Sequence, residues 1–271
     1  MPSLIEFSNL LENINLCLNL KLQFIEINMC FPYLSSKKLQ NIDLYEYAHR
    51  NNIFFTVHLP EEIDFGFFNE EMRMASIELV ENVINRHDKE VIKILNMHLN
   101  SGTYITLPNK KAYLYEEEYD EYSENVLNAM EYLSPKLVDS NIYLCIENTG
   151  NFSNIKTKVL LENILKFKNI GLTWDFGHDA SAKYSDKPFI LNHISALKHT
   201  HLHDFDKEDG KNHKELYTGN LDIKESFHCI EENNLSCVIE TKDAIALTNS
   251  VNKLFDKELV FKRRHRTTAS T

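Results

Sequence analysis

The stretch IYLCIENTGNFSNIKTKVLLENILKFKNIGLTWDFGHD, residues 142–179, decides the fold. It opens and closes with apolar, β-branched runs at 142–148 and 170–176, which predict two buried strands. Between them, residues 156–168 carry apolar side chains at the spacing of an amphipathic helix. Because strand, helix and strand at this spacing are typical of a βαβ unit, the two strands are predicted to be parallel.

The same alternation continues in both directions from this stretch. Strand-like runs rich in Ile, Val, Phe and Leu lie at 22–28, 53–59, 91–99, 142–148, 170–176, 199–205 and 237–242. Helix-like runs lie between or after them, at 69–86, 123–140, 156–168, 187–198, 222–233 and 244–256. Since the composition does not change along the chain, we predict a single α/β domain over residues 1–261, a (β/α)8 TIM barrel. An open doubly wound sheet is the competing topology.

Both ends of the chain need separate treatment. The count of strands is one short of eight, and a helix-like run at 4–19 precedes the first clear strand. The first barrel strand is therefore predicted to be short or missing: either MPSLIEF contributes a stub, or the chain begins late. The segment KRRHRTTAST, residues 262–271, is expected to be a basic, disordered tail.

Composition restricts the classes of partner. The chain has 271 residues, with 40 acidic against 29 basic side chains and a formal net charge of −11, which disfavours broad binding to nucleic acid. The usual glycine-rich dinucleotide and P-loop motifs do not occur among its 7 glycines. The 5 cysteines form no C-x-x-C, and no apolar run is long enough to span a bilayer. We expect a cytoplasmic protein that does not enter the membrane.

Ionisable side chains fall at the carboxyl ends of successive predicted strands. They are His58, His98, Glu147, Asp175, His201 and Glu240. In a TIM barrel these ends lie on one face, where active sites form, so the six side chains are expected to converge. One polar residue at a strand end carries little information, but six in chain order are a strong signal.

Crowded carboxylates and imidazoles need a compensating charge, which a divalent cation supplies. A mixed oxygen and nitrogen site for Mn²⁺, Mg²⁺, Co²⁺, Fe²⁺ or Zn²⁺ is therefore predicted from four residues, Glu147, Asp175, His201 and Glu240. His178 and His213 lie on the loop side of two strands and could reach this site. His199 and His203 share a strand face with His201. We interpret His199 as a buried residue that makes hydrogen bonds but binds no metal, and the sequence does not decide between the two roles for His203.

Several segments, in this order, resemble the xylose isomerase-like TIM-barrel superfamily, which holds sugar phosphate isomerases and epimerases and is related to endonuclease IV. They are VHLP (57–60), MHLNSG (97–102), IENTG (146–150), WDFGHD (174–179), HLHD (201–204), NHKELYTGNLD (212–222) and IETK (239–242). The resemblance covers nearly the whole chain and implies the same barrel fold.

The epimerase branch of this superfamily implies a role for each matching residue. Glu147, Asp175, His201 and Glu240 would bind one metal, with Glu147 and Glu240 also catalytic, one removing a proton next to a carbonyl and the other returning it. His178 would hold a substrate hydroxyl, and Lys207 would be a basic substrate-binding residue. The expected function is a metal-dependent isomerase or epimerase of a small, polyhydroxylated sugar-like carbonyl compound, in an oligomer as the family suggests.

The endonuclease branch implies an alternative, a metallohydrolase of phosphoesters or other bonds with a two-metal site. His58 and His98 would hold the second cation. A complete three-metal site is disfavoured because Lys211 stands where that branch has an aspartate, two residues before His213. The loop at 102–122 is acidic and would repel phosphates, while its tyrosines either form a lid over a sugar or pack the loop onto the barrel. A non-catalytic binding barrel is disfavoured by the near-complete set of ligands.

Overall fold

Parallel strands follow one another around a nearly closed barrel in the computed structural model of the chain, which describes residues 1–86 and 90–256. The sheet has 7 strands in chain order, each paired with the next. They are β1 (Phe24–Asn28), β2 (Phe54–His58), β3 (Ile92–His98), β6 (Tyr143–Glu147), β7 (Ile170–Asp175), β8 (Leu197–Leu202) and β9 (Ser236–Ile239). All the predicted strands are present, and the TIM barrel is confirmed against the open doubly wound sheet.

A stub at the N-terminus takes the place of the first barrel strand. Pro2 forms a parallel bridge with Glu26 of β1. The backbone N–H of Ser3 donates to the Glu26 carbonyl at 2.7 Å, and the Glu26 N–H donates to the Met1 carbonyl at 2.8 Å. The prediction of a short first strand is confirmed, and MPSLIEF supplies it.

Helices connect the strands along the outside of the barrel. They are α1 (Leu10–Asn19), α2 (Ser36–Leu39), α3 (Leu44–Asn51), α4 (Glu70–Ile84), α5 (Leu114–Glu117), α6 (Tyr119–Ser140), α7 (Ile155–Ile164), α8 (Phe176–Ser181), α9 (Lys187–Asn192), α10 (Ile223–Glu232) and α11 (Ala244–Asp256). Side chains cap several of them; the Asp222 carboxylate, for example, accepts the Glu225 N–H at 3.0 Å at the start of α10. In the described part of the chain, no helix has the length and apolar character that a bilayer crossing demands.

Two of the differences from the sequence predictions concern the segment before β8 and the loop after β3. The helix predicted at 187–198 ends at Asn192, and a 3-10 turn at Ile194–Ala196 leads into β8, because Leu197 is buried and paired with Leu172 of β7. The long loop at 102–122 is partly regular, with an antiparallel hairpin of β4 (Tyr104–Thr106) and β5 (Lys111–Tyr113) before α5. The predicted domain boundary at 261 and the basic tail at 262–271 lie outside the described residues.

Alternation along the strands separates an apolar layer from a polar barrel interior. Ile25 and Ile27 of β1 are fully buried in the apolar core. Glu26, between them, is also buried, but contacts His199 of β8 inside the barrel. The same alternation in every strand brings the polar side chains at the strand ends to the mouth of the barrel.

Candidate active site

Four side chains from four consecutive barrel strands meet at the barrel mouth: Glu147, Asp175, His201 and Glu240, here called the quartet. One ligand atom from each lies within 4.8 Å of the other three. His201 Nδ1 is 3.1 Å from Glu147 Oε1 and 3.3 Å from Glu240 Oε2. The structure thus brings together the four residues that the sequence predicts as metal ligands.

The quartet fits a divalent cation by its chemistry and by its unsatisfied atoms. Asp175 Oδ2 and Glu240 Oε2 are buried, and neither makes a hydrogen bond within the described part of the chain. Three carboxylates with one imidazole form a donor set suited to hard or borderline divalent metals. Glu240 Oε1 is compensated by Lys242 Nζ at 2.8 Å, which leaves the other oxygen free for the quartet.

Both glutamates of the quartet are ionised bases. Burial raises the pKa of Glu147, but His201 and His98 outweigh burial and hold that pKa well below its usual value. Burial acts in the same way on Glu240, and His201, with help from Lys242, holds its pKa well below the usual value. Burial lowers the pKa of His201, but Glu147 and Glu26 outweigh it and raise that pKa well above its usual value.

A second group, His58, Glu61 and His98, adjoins the quartet through Glu147. Glu147 Oε2 lies 3.2 Å from His98 Nε2 and 3.6 Å from His58 Nε2, while Asn96 Nδ2 donates to the same oxygen. On its other side, His98 Nδ1 is hydrogen-bonded to Glu61 Oε2 at 2.8 Å. Burial lowers the pKa of His98, but the carboxylates of Glu147 and Glu61 raise it to about 10.

Three imidazoles form a third group on the other side of Asp175. One nitrogen each of His178, His203 and His213 lies within 4.8 Å of the others. His203 is fully buried, with Nε2 at 3.1 Å from Asp175 Oδ1 and Nδ1 accepting the His213 N–H at 2.9 Å. Burial lowers the pKa of His213 to about 4, so its ring is neutral at pH 7. His203, whose role the sequence leaves open, thus lies in ion-pair contact with the Asp175 carboxylate.

Glycine is required beneath the His203 ring. A Cβ built on Gly177 would lie 2.1 Å from His203 Cε1, far closer than two carbon atoms can approach. Gly177 lies in α8, and the absence of a side chain there makes room for the histidine that contacts Asp175.

Two lysines singled out in the sequence lie outside the cluster. Lys207 is exposed and donates its backbone N–H to Asn220 Oδ1 at 2.9 Å; no hydrogen bond or ion pair joins its Nζ to a cluster residue that the structure describes. Lys211 Nζ pairs with Asp209 Oδ2 at 2.7 Å, and its side chain is 73% exposed. Lys211 therefore points into solvent.

Sequence reasoning missed the polar side chains beneath the quartet. Glu26 Oε1 lies 2.9 Å from His201 Nε2, and Glu26 Oε2 lies 3.1 Å from His199 Nε2. His199 Nδ1 in turn lies 2.6 Å from Ser236 Oγ, in agreement with its interpretation as a hydrogen-bonded filler. The signal for Glu26 was present in FIEIN, where a carboxylate stands between two buried isoleucines. Glu61, three residues after His58, gave no comparable signal.

The tyrosine-rich segment packs against the barrel. The Tyr115 hydroxyl donates to the buried Asp64 Oδ2 at 2.7 Å, and the rings of Tyr115 and Tyr122 stack with centroids 4.2 Å apart. The Tyr119 hydroxyl donates to the Lys156 carbonyl at 2.8 Å. These contacts support the packing alternative for three tyrosines, while Tyr104 on the hairpin is 44% exposed.

Comparison with known protein families finds a match to the xylose isomerase-like TIM barrel family over residues 15–259. At the level of individual sequences, no curated protein matches the chain significantly.

Solved structures share the fold over almost the whole chain. A D-tagatose 3-epimerase-like protein has a TM-score of 0.71 and 19% identity, with 96% of this chain and 98% of that chain covered. The 3-keto-D-glucoside 4-epimerase of E. coli has a TM-score of 0.70 and 15% identity, with 95% and 98% covered. The IolI protein with a bound zinc atom has a TM-score of 0.69 and 13% identity, with 95% and 96% covered. At these identities the similarity is one of fold.

Proposed function

This chain belongs to the xylose isomerase-like TIM barrel family, and from that premise we propose that it is a metal-dependent isomerase or epimerase of a small sugar-like carbonyl compound. The observation that carries the proposal is the quartet, in which two ionised glutamates lie 3.1 and 3.3 Å from His201 Nδ1. Glu147 ends β6 and Glu240 follows β9, so the two carboxylates approach the site from separate parts of the barrel rim.

Each residue of the quartet has a proposed role. Glu147, Asp175, His201 and Glu240 would hold the metal, and a divalent metal bound there would polarise the substrate carbonyl and acidify the neighbouring C–H. One of Glu147 and Glu240 would remove the proton as the base, and the other, after taking up a proton from solvent, would return a proton as the acid, in an order set by the configuration of the substrate carbon. His203 would keep Asp175 in place.

His178 is the proposed contact for a substrate hydroxyl. Its side chain is 24% exposed, and its Nε2 lies 3.9 Å from Asp175 Oδ2, at the edge of the quartet. Lys207 is left out of the proposed site, because its side chain is exposed and joins no described residue of the cluster.

The structural relatives support the substrate class and the cofactor. One of them is, by name, a 3-keto-D-glucoside 4-epimerase and another a D-tagatose 3-epimerase-like protein, which supports a small polyhydroxylated substrate here. Another holds a zinc atom, which supports a divalent metal without selecting among Mn²⁺, Mg²⁺, Co²⁺, Fe²⁺ and Zn²⁺.

The net charge of −11 continues to disfavour nucleic acid as a partner. The 5 free cysteines support the proposed cytoplasmic location, and a homo-oligomer stays a prediction.

A two-metal hydrolase is the second candidate. It is favoured by one observation, that His58, His98 and Glu147 Oε2 lie close enough to hold a second cation. The two functions differ in stoichiometry, since proton transfer needs one ion per chain and this kind of hydrolysis needs two.

Solvent isotope exchange tests the proposed reaction. The metal-loaded protein is incubated in D₂O with a panel of ketoses and keto-glycosides, and deuterium next to the carbonyl is measured by mass spectrometry. We expect exchange with at least one compound, abolished in both Glu147→Gln and Glu240→Gln. Glu232→Gln, which alters a glutamate 61% exposed on the surface, serves as the control. No exchange with any compound, or undiminished exchange in both variants, contradicts the proposal.

A further inference from the structure

We infer that Glu26, a carboxylate buried inside the barrel, is a positioning residue that determines which nitrogen of His201 faces the metal. The inference rests on the proposed metal quartet, and it extends that site to a residue on β1, a strand that does not pair with β8 in the described sheet. Glu26 touches neither the substrate nor the metal in this account, and it acts only through the His201 ring.

The two nitrogens of His201 face different carboxylates. On one side, His201 Nδ1 lies 3.1 Å from Glu147 Oε1, within the quartet. On the other side, His201 Nε2 lies 2.9 Å from Glu26 Oε1, in an ion-pair contact that is bent away from the N–H axis. His201 and Glu26 are both fully or almost fully buried, so water does not compete for either nitrogen.

This arrangement selects one tautomer of the metal-binding imidazole. A neutral imidazole carries one N–H and one lone pair, and an ionised carboxylate only accepts hydrogen bonds. Carboxylates face both nitrogens of His201, and in the metal-free ring Nδ1 makes a hydrogen bond to Glu147 Oε1. A metal bound in the quartet would take the Nδ1 lone pair, and the one remaining hydrogen would then lie on Nε2, beside Glu26. A carboxylate behind a metal-binding histidine also makes the imidazole a stronger donor to the metal.

Both the carboxylate and the backbone of Glu26 make hydrogen bonds. Its Oε2 accepts hydrogen bonds from Thr56 Oγ1 at 3.0 Å and from His199 Nε2 at 3.1 Å. His199 can donate through Nε2 because Ser236 Oγ, which has a hydrogen to give, lies 2.6 Å from its Nδ1. The backbone N–H and carbonyl of Glu26 are bound by the stub of the first strand, through Met1 and Ser3. The carboxylate therefore has no room to rotate away from His201.

The strand itself does not need a charge at this position. A buried carboxylate is costly to remove from water, and an apolar side chain would complete the pattern of FIEIN. The carboxylate accepts hydrogen bonds from Thr56 and His199, and it forms an ion-pair contact with His201 Nε2. Only His201 belongs to the quartet, which points to metal binding as the purpose.

The test compares metal affinity in matched variants. Apoprotein is titrated with Co²⁺ in competition with a chromophoric chelator, and the melting temperature of each apoprotein is recorded separately. We expect Glu26→Gln to weaken Co²⁺ binding by roughly 10- to 100-fold, because the amide puts N–H groups where donors already point. Asp64→Asn removes another buried carboxylate, one that accepts from the Tyr115 hydroxyl, and is expected to leave affinity unchanged.

A second variant covers the case in which Glu26→Gln does not fold. Thr56→Val keeps the size of the side chain and removes one donor to Glu26 Oε2, and a smaller loss of affinity is expected in an apoprotein that is still folded, although at a lower melting temperature. In addition, the ¹⁵N shifts of the His201 ring in the Zn²⁺-loaded wild type should show hydrogen on Nε2 and metal on Nδ1. Wild-type affinity in the folded variants, or metal on Nε2, overturns the inference.

Failure of this inference is separable from failure of the proposed function. Asp175→Asn removes a ligand of the quartet and serves as the reference. If Asp175→Asn loses Co²⁺ while Glu26→Gln binds it as tightly as the wild type, only the role of Glu26 is wrong. If neither substitution changes Co²⁺ binding, or the wild type binds no Co²⁺, the quartet is not a metal site, and both proposals fail.

Discussion

Glu147 Oε1 and His201 Nδ1 lie 3.1 Å apart, although 54 residues separate them along the chain. The contact links the ends of β6 and β8 and forms the centre of the quartet. Because the other oxygen of Glu147 faces His98 at 3.2 Å, this one carboxylate belongs to two groups of candidate ligands. The number of metal ions that these two groups hold therefore distinguishes the proposed isomerase or epimerase from the two-metal hydrolase.

One ion per chain is expected, and substitution of His98 checks this number. His98 is not a member of the quartet, so His98→Ala should retain about one ion per chain after dialysis, as the wild type does. Elemental analysis by mass spectrometry measures the stoichiometry. About two ions in the wild type and one in His98→Ala, with loss of activity, would favour the two-metal hydrolase instead.

Metal binding should release a proton from His201. The carboxylates of Glu147 and Glu26 overcome the effect of burial and raise its pKa well above the usual value, so the metal-free ring is protonated near pH 7. A cation must displace that proton from Nδ1, and affinity should therefore rise with pH until the raised pKa is reached. Calorimetric titration in buffers of different protonation enthalpy should detect release of about one proton, and a buffer-independent enthalpy would contradict this.

The metal-free protein should lose stability as the pH rises above neutrality. The folded-state pKa of His98 is raised from 6.5 to about 10, because Glu147 and Glu61 outweigh burial. A raised histidine pKa contributes stability that is complete below 6.5 and is lost as pH rises toward 10. Urea unfolding of chelator-treated protein at several pH values measures the free energy of unfolding, and His98→Gln should show a flatter dependence. An identical slope in both proteins would be inconsistent with a charged His98.

A methyl group at Gly177 should displace the His203 ring and so disturb its contact with Asp175. The added Cβ would lie 2.1 Å from His203 Cε1, so the ring must move away from Asp175. We expect Gly177→Ala to lose about 1–3 kcal/mol of unfolding free energy, as is typical of overpacking, and to bind metal more weakly. Gly210→Ala is the control, because a Cβ there meets no described residue within 4 Å, although its φ of +68 adds backbone strain. Unchanged metal affinity in Gly177→Ala would show that His203 does not support Asp175.

The sequence predicts the barrel strands and the quartet for a simple physical reason. Strands buried on both faces are continuous apolar runs, so they are visible without any knowledge of their neighbours. Active-site side chains of a parallel barrel stand at the carboxyl ends of strands, so Glu147 and Glu240 are identified by position alone. The family motifs around Asp175 and His201 gave the same set.

The residues that were missed depend on closure of the barrel. Glu26 lies in the middle of a strand, and its partner His199 is 173 residues away, so only the closed sheet brings them together. Glu61 reaches His98 from a loop whose path no periodicity describes. His203 was left open because a strand face shows which residues share a side, but not which carboxylate each one meets.

The most direct measurement is a crystal structure of the protein soaked with Mn²⁺, Co²⁺ or Zn²⁺, with the ion located by anomalous scattering. We expect a peak bound by Glu147, Asp175, Glu240 and His201, at about 2.0–2.2 Å for zinc, with Nδ1 as the nitrogen ligand. A map with no peak among these four side chains, or with a peak bound only by His58 and His98, would contradict this expectation.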